Sequence, residues 1–247
     1  EMGRGEVAEW RQITDFIRKS GIRTLITTSR KQTRKGTPIF IAGANVTERA
    51  TWSNDEVRAH VRWQRETLHE LRRAPVFHIV LVNGLALGWG TEFLITGDYR
   101  IATEQASFAL PETSIGILPG AGGTSDLPHL IGVNQALRLG MTGERIDAAE
   151  ALRIGLVDER TADVEQGMAR ALALAGMVAR RSPTAVSTYK SAVLQGLEAD
   201  RSTARMLEAK AYEHCVDSGD AAIGRTQFKR ITAGEDVEWN PRKDFND

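Results

Sequence analysis

Two carboxylates, Glu92 and Glu112, each follow a tight backbone element in the stretch NGLALGWGTEFLITGDYRIATEQASFALPETSIGILPGAGGT, residues 83–124. Glu92 stands two residues after Gly90, where a short helix is expected to begin. Acids suit a helix N-terminus. Its neighbours Phe93, Leu94 and Ile95 are apolar, however, and point to burial. A buried carboxylate is costly unless it is paired or used. Glu112 follows Pro111 and precedes Ile115 and Ile117. Glycine-rich turns flank the pair, Gly84 to Gly90 before and Gly120 to Gly123 after. A strand, a glycine-rich turn and a helix in succession aim main-chain N–H groups at one point, where they can hold a developing oxyanion. Two carboxylates beside such donors suit proton transfer next to a carbonyl, one as base and the other as acid.

Each feature also has a plainer reading. Glu92 alone would complement a helix dipole, Glu112 alone would be a solvated loop residue, and three glycines would simply make a turn. Other chemistries lack their motifs. Gly84, Gly88 and Gly90 do not make the dinucleotide pattern GxGxxG, and PGAGGT lacks the lysine of a phosphate-binding loop. No two of His60, His69, His78, His129 and His214 stand four apart, so the zinc-protease pattern is missing and no metal site is expected. Ser114 is not in a GxSxG elbow. Residues 18–35 hold Arg18, Lys19, Arg23, Arg30, Lys31, Arg34 and Lys35 with no acid, which makes either a solvated loop or an anchor for phosphates.

The elements that must position these residues follow from periodicity. Residues 6–19 carry apolar side chains at helical spacing, and residues 54–73 read as a long helix capped by Ser53 or Asn54. The runs 22–28, 39–41, 76–82 and 98–102 read as strands, the first and third buried on both faces. Ser29 to Thr37 reads as a polar loop. After Gly123, short helices are expected over 125–130, 134–141 and 148–154, then a strand at Leu156-Val157. Helices follow over 164–181, 183–195, 201–216 and 220–231. Helices alternating with buried strands define an α/β protein. The change to all-helix near residue 162 divides the chain into a core, 1–162, and a C-terminal helical region, 163–247.

Composition sets outer bounds. The chain has 247 residues, 41% hydrophobic and 26% charged, ordinary for a globular protein. Its 32 basic and 32 acidic residues cancel, which argues against nucleic acid or a membrane surface as partner. The single Cys215 excludes an internal disulfide and fits a reducing cytoplasm. No apolar run approaches the roughly 18 residues of a membrane span. The chain begins with Glu1 rather than Met, as a trimmed chain would.

Several of these motifs occur together in one known family. VNGLALGWGTEF, DYRIATEQASFALPE and GILPGAGGTSDLPHLIG resemble the signature of the crotonase (enoyl-CoA hydratase/isomerase) superfamily. IFIAGANVTE resembles its first oxyanion-loop motif, and MTGERIDAAEALRIGLVDE and SPTAVSTYKSAV resemble its later segments. The resemblance implies a ββα-spiral core with a C-terminal helical trimerisation region, in a homotrimer or dimer of trimers. It implies that the N–H groups of Ala44 and Trp89 form the oxyanion hole, and that Glu92 and Glu112 are the two catalytic glutamates. The loop Ala42, Gly43, Ala44, Asn45 would lie against the adenine of coenzyme A; the phosphate anchor, Arg30, Lys31, Arg34 and Lys35, is read from the basic run and not from the resemblance. The implied activity is an enoyl-CoA hydratase needing no cofactor beyond the coenzyme A of its substrate. An isomerase, an acyl-CoA hydrolase and a silent acyl-CoA-binding subunit are the alternatives. Departures are visible: Trp89 replaces the middle glycine of the usual GGG, Asn45 replaces an acid, residues 30–37 look inserted, and the family's N-terminal strands would precede Glu1.

The basic run yields a test. Changing Arg30, Lys31, Arg34 and Lys35 together to Ala is expected to raise KM for an acyl-CoA with little loss of kcat, because uniform binding is removed. The effect should shrink with added salt. Steady-state kinetics at two ionic strengths check this, and an unchanged KM at low salt returns the four residues to a solvated loop.

Overall fold

The computed structural model describes residues 1–245. Helix α1 (Arg4–Lys19) leads into β1 (Thr24–Thr27), β2 (Lys31–Gln32) and β3 (Pro38–Ile41). A four-residue α2 (Val46–Arg49) and the long α3 (Asn54–Arg72) follow, then β4 (Phe77–Val82) and β5 (Leu85–Leu87). Next come α4 (Trp89–Phe93), β6 (Tyr99–Thr103), β7 (Ser107–Ala109) and a 3-10 turn over Pro111–Ile115. The chain continues through α5 (Leu127–Ile131), α6 (Val133–Thr142), β8 (Ile146–Asp147), α7 (Ala148–Arg153) and β9 (Glu159–Thr161). It ends in α8 (Val164–Ala179), α9 (Pro183–Leu197), α10 (Arg201–Asp217), α11 (Asp220–Thr226) and α12 (Phe228–Thr232).

The strands form two sheets, ordered β1-β4-β6-β9 and β2-β3-β5-β7-β8. The chain steps from one to the other and advances by one strand each time. From β4 it crosses to β5 through Asn83 and Gly84 and then makes α4; from β6 it crosses to β7 through residues 104–106 and then makes the 3-10 turn. This repeat of strand, strand, helix is the expected ββα-spiral. Within it β4, β6 and β9 run parallel, as do β3, β5 and β7. Strands β4 and β6 are buried from His78 to Val82 and from Arg100 to Thr103, which is why both read as apolar runs. The polar His78 is accommodated by Thr27 Oγ1, 2.8 Å from Nε2, and by the Thr96 carbonyl, 3.1 Å from Nδ1. The crossover at Gly84 is tight: a Cβ there would stand 2.2 Å from the Pro38 carbonyl oxygen.

By its contacts the chain divides into two units. The first, Glu1–Asp15, Ile26–Arg72 and His78–Ala171, holds both sheets' paired cores and the two glutamates. The second, Phe16–Leu25, Arg73–Phe77 and Leu172–Asp247, is largely helical, and its residues 246 and 247, the end of the expected C-terminal region, lie outside the described residues. In the second unit Ser182 caps α9 by accepting from Ala185 N, and Pro183 takes the first helical position. Asp200 caps α10 by accepting from Ser202 N and Thr203 N. Among the described residues no helix is long and apolar enough to cross a membrane.

Four local expectations need correction. The strand expected at Leu156-Val157 is β9, three residues later; Leu156 and Val157 are buried turn residues after Gly155, whose φ is 81°. The polar loop 29–37 contains β2, which turns back on β3 with Lys31 opposite Ile39. The turn 84–90 conceals β5, three residues whose pairing with β3 and β7 leaves too short a pattern to read. The helix expected over 220–231 breaks at Gln227 into α11 and α12.

Two glycines separate crowding from flexibility. Gly84→Ala is expected to destabilise the fold by about 1–3 kcal/mol through the clash with Pro38. Gly176→Ala, in exposed helix with nothing within 4 Å of the new methyl, should stabilise it by about 0.5–1 kcal/mol. Urea denaturation of the two variants checks the contrast; equal effects would mean the crossover is loose.

Candidate active site

The site is built where parallel strands end. Strands β3 and β5 are neighbours, and their C-terminal ends release the loop 42–45 and the turn Gly88-Trp89 side by side. Two contacts hold them close. Gly90 lies so near β3 that a Cβ would meet the Ile41 carbonyl oxygen at 2.1 Å, and one on Gly43 would meet the Leu87 carbonyl oxygen at 3.2 Å. Strand β7 joins from the other side: Gly88 N donates to the Ala109 carbonyl at 2.8 Å. Thr91 Oγ1 lies within bonding distance of the Ala86 and Ala109 carbonyls, at 2.7 and 2.9 Å, fastening the start of α4 to both strand ends. Among the described residues the main-chain N–H groups of Ala44 and Trp89 donate no hydrogen bond. They are the spare donors at the ends of adjacent strands.

Glu92 sits in the first turn of α4 and is buried, 3% exposed. Its Oε1 accepts from Ala121 N at 2.7 Å and from Gly123 N at 2.9 Å. The second glycine-rich turn thus cradles this carboxylate. Only glycine fits at 123, since a Cβ there would lie 2.5 Å from Pro119 Cβ and 3.0 Å from Glu92 Oε1. Burial pushes the Glu92 pKa up to about 7; the two N–H donors oppose the rise, the charge of Glu112 adds to it, and Arg65 lowers it. Arg65 Nε donates to the Gly120 carbonyl at 2.8 Å, tying α3 to the cradle.

Glu112 reaches the same place from the 3-10 turn after β7. Its Oε1 lies against the Gly88 α-carbon, 2.6 Å from where a Cβ would stand, which together with a φ of 53° demands glycine. Its Oε2 is buried with no hydrogen-bond partner, and burial raises its pKa. The structure therefore brings Glu92, Glu112 and the Gly88-Trp89 turn together. Ala42, Gly43 and Asn45 border it on the β3 side, with the Asn45 side chain accepting from Glu48 N as the cap of α2. Arg30, Lys31, Arg34 and Lys35 are all exposed on the β2 hairpin, at the outer edge of the second sheet.

Trp89 is buried, 3% exposed, and its ring centroid is 5.7 Å from that of Phe93, one turn along α4. Phe93 in turn meets Trp10, Phe40 and His78. The indole is thus held by an aromatic cluster while its main-chain N–H takes the first helical position. The cradle role of Ala121 and Gly123 and the electrostatic role of Arg65 escaped sequence reasoning. PGAGGT signalled a turn but not whose charge it receives.

Two stacked sheet strands per helix, with a buried and a half-buried carboxylate at the strand ends, define a crotonase-type α/β protein. The sequence model of the enoyl-CoA hydratase/isomerase family matches residues 22–233, and the chain belongs to that family. YngF of Bacillus subtilis is 40% identical over 210 residues, covering 85% of this chain and 78% of YngF. The short-chain-enoyl-CoA hydratase of Clostridium acetobutylicum is 36% identical over 198 residues, covering 79% of this chain and 75% of that one. The crystal structure of an enoyl-CoA hydratase from Bacillus anthracis superposes with a TM-score of 0.87 at 35% identity, covering 96% of this chain and 89% of the other.

The Glu92 environment predicts a stability effect. Its pKa is higher folded, about 7, than its ordinary value of 4.5. Stability from this group is therefore present below about pH 4.5 and lost as pH rises through about 7. Glu92→Gln keeps an oxygen for Ala121 and Gly123 but never ionises. Relative to the native chain it should gain up to about 3 kcal/mol between pH 5 and pH 8. Denaturation curves at the two pH values check this; a gap that does not widen with pH refutes the raised pKa.

Proposed function

We propose that the protein is an enoyl-CoA hydratase, adding water across the α,β double bond of an acyl-CoA thioester. The observation that carries this reading is the pairing of two partly or wholly buried carboxylates, both with raised pKa, beside the Gly88-Trp89 turn. An isomerase moves one proton along the substrate and can work with one carboxylate. Hydration must deprotonate a water and protonate a carbon together, and two carboxylates serve both ends.

In this reading the thioester oxygen accepts from the Ala44 and Trp89 N–H groups. Their partial positive charge draws electrons from the β-carbon and holds the enolate. A water between Glu92 and Glu112 attacks the β-carbon. The ionised glutamate takes its proton, and the protonated one gives a proton to the α-carbon. The new C–O and C–H bonds replace the double bond, and one proton is exchanged for another. A Glu92 carboxyl near pH 7 is populated in both forms at neutrality, which suits it to either role. Coenzyme A enters only as part of the substrate. Assembly as a homotrimer or dimer of trimers belongs to the same proposal, and the exposed Tyr189, Leu197 and Tyr212 of the helical unit favour self-association.

The test uses crotonyl-CoA and the loss of its enoyl-thioester absorbance. The native chain is expected to consume it. Glu92→Gln and Glu112→Gln should each lower kcat by roughly a hundredfold or more, and the double variant by less than the product of the two. Formation of the absorbance from a β,γ-enoyl-CoA would instead identify an isomerase, and no change in either assay would leave a silent binder.

A further inference from the structure

A second polar cluster stands beside the carboxylates and is used by nothing described so far. Arg49 ends α2, and His60 and Gln64 lie one turn apart on the same face of α3. Arg49 Nη2 donates to Gln64 Oε1 at 2.8 Å. His60 is 5% exposed and Gln64 2%. The next residues on α3 touch the Glu92 cradle: Val61 stands against Gly120, and Arg65 donates to its carbonyl. Arg49 itself senses the charge of Glu92 as well as that of Glu48. The cluster therefore borders the reacting centre on its α3 side.

What it lacks is an acceptor. Arg49 is half-buried, yet among the described residues no carboxylate lies within ion-pair distance of it, and its side-chain partner is a neutral amide. His60 Nε2 and Gln64 Nε2 are both buried without a hydrogen-bond partner. Buried donors left unmatched are costly, and a buried cation is normally paired. The walls are aromatic rather than charged: Trp52 and Trp63 pack edge-on against the His60 ring, at 4.9 and 5.8 Å between centroids. The nearest acid, Glu48, is turned toward the Arg4 N–H. A guanidinium fork with one more N–H from an amide and, in its Nε2–H tautomer, one from an imidazole matches the oxygens of a single carboxylate.

We propose that Arg49, with His60 and Gln64, recognises a carboxylate on the acyl chain, so that the preferred substrate is an enoyl-CoA carrying a second acidic group rather than a plain alkyl chain. This rests on the hydratase reading and names its substrate class. Binding such a group gives the two unmatched donors, His60 Nε2 and Gln64 Nε2, charge-assisted hydrogen bonds, and gives Arg49 an anionic partner beyond its neutral amide. An alkyl chain in the same place would leave them unmatched, and a site with buried polar groups discriminates strongly against a partner that cannot pair them.

The experiment compares crotonyl-CoA with glutaconyl-CoA, a 2-enoyl thioester ending in a carboxylate. The native chain is expected to favour glutaconyl-CoA in kcat/KM by tenfold or more. Arg49→Met, of similar length and apolar, should lower the ratio of the two values by roughly a hundredfold, and Arg49→Lys should fall between. The ratio cancels any general effect on Glu92 or on folding. Calorimetric binding of the unreactive pair glutaryl-CoA and butyryl-CoA repeats the comparison without catalysis. A native preference for crotonyl-CoA and butyryl-CoA, or a ratio that Arg49→Met leaves unchanged, overturns the proposal. Absence of turnover on both enoyl thioesters would sink the hydratase reading alone, with the calorimetric ratio still deciding the carboxylate site.

Discussion

The structure depends on keeping one carboxylate dry. Glu92 is buried at the start of α4, and only two main-chain donors, Ala121 N and Gly123 N, hold its Oε1. A buried ionised carboxylate without partners would lose its charge altogether. Two N–H bonds are enough to bring the balance near neutrality rather than far above it. Much of the surrounding geometry serves this balance. Gly123 leaves room for the approach, Arg65 pins the cradle to α3, and Glu112 supplies the second charge.

The ββα repeat explains why these parts meet. Each pass of the chain lays a strand in the first sheet, crosses at once to the second, and ends in a helix or turn. Because β3, β5 and β7 run parallel, their C-terminal ends lie in a row. The loop 42–45, the turn Gly88-Trp89 and the 3-10 turn of Glu112 are the three successive exits from that row. Residues far apart in sequence thereby share a site, as is general at the carboxyl ends of parallel strands. Crossovers this short need backbone approaches that side chains would block, and Gly84 and Gly90 supply them.

Trp89 shows how a departure in the motif is absorbed. Glycine is the least constrained residue for such a turn, but the donor required is a main-chain N–H, which tryptophan also carries. The left-handed angle falls on Gly88, at φ 53°, leaving Trp89 free to begin the helix. The indole then joins Phe93, Trp10 and Phe40 in an aromatic cluster. Its Nε1 is buried without a partner, a local cost of about 1–3 kcal/mol that the burial of so large a ring can offset.

The sequence by itself determined the elements whose signal is local. Long amphipathic helices such as α1 and α3, the apolar strand β4, and the glycine-flanked glutamates were all legible, because helical spacing, burial on both faces and tight turns leave marks within a few residues. The collinear motifs identified the family for the same reason. Strands of two or three residues, β2, β5, β7, β8 and β9, left too short a pattern, since their existence rests on a neighbour's hydrogen bonds. Tertiary structure alone decided that PGAGGT receives the charge of Glu92, that Glu112 lies against Gly88, and that Arg49, His60 and Gln64 share one unmatched cluster. These are meetings across many residues of chain. Their energies depend on burial and on which donors face which acceptors, quantities that exist only once the chain is folded.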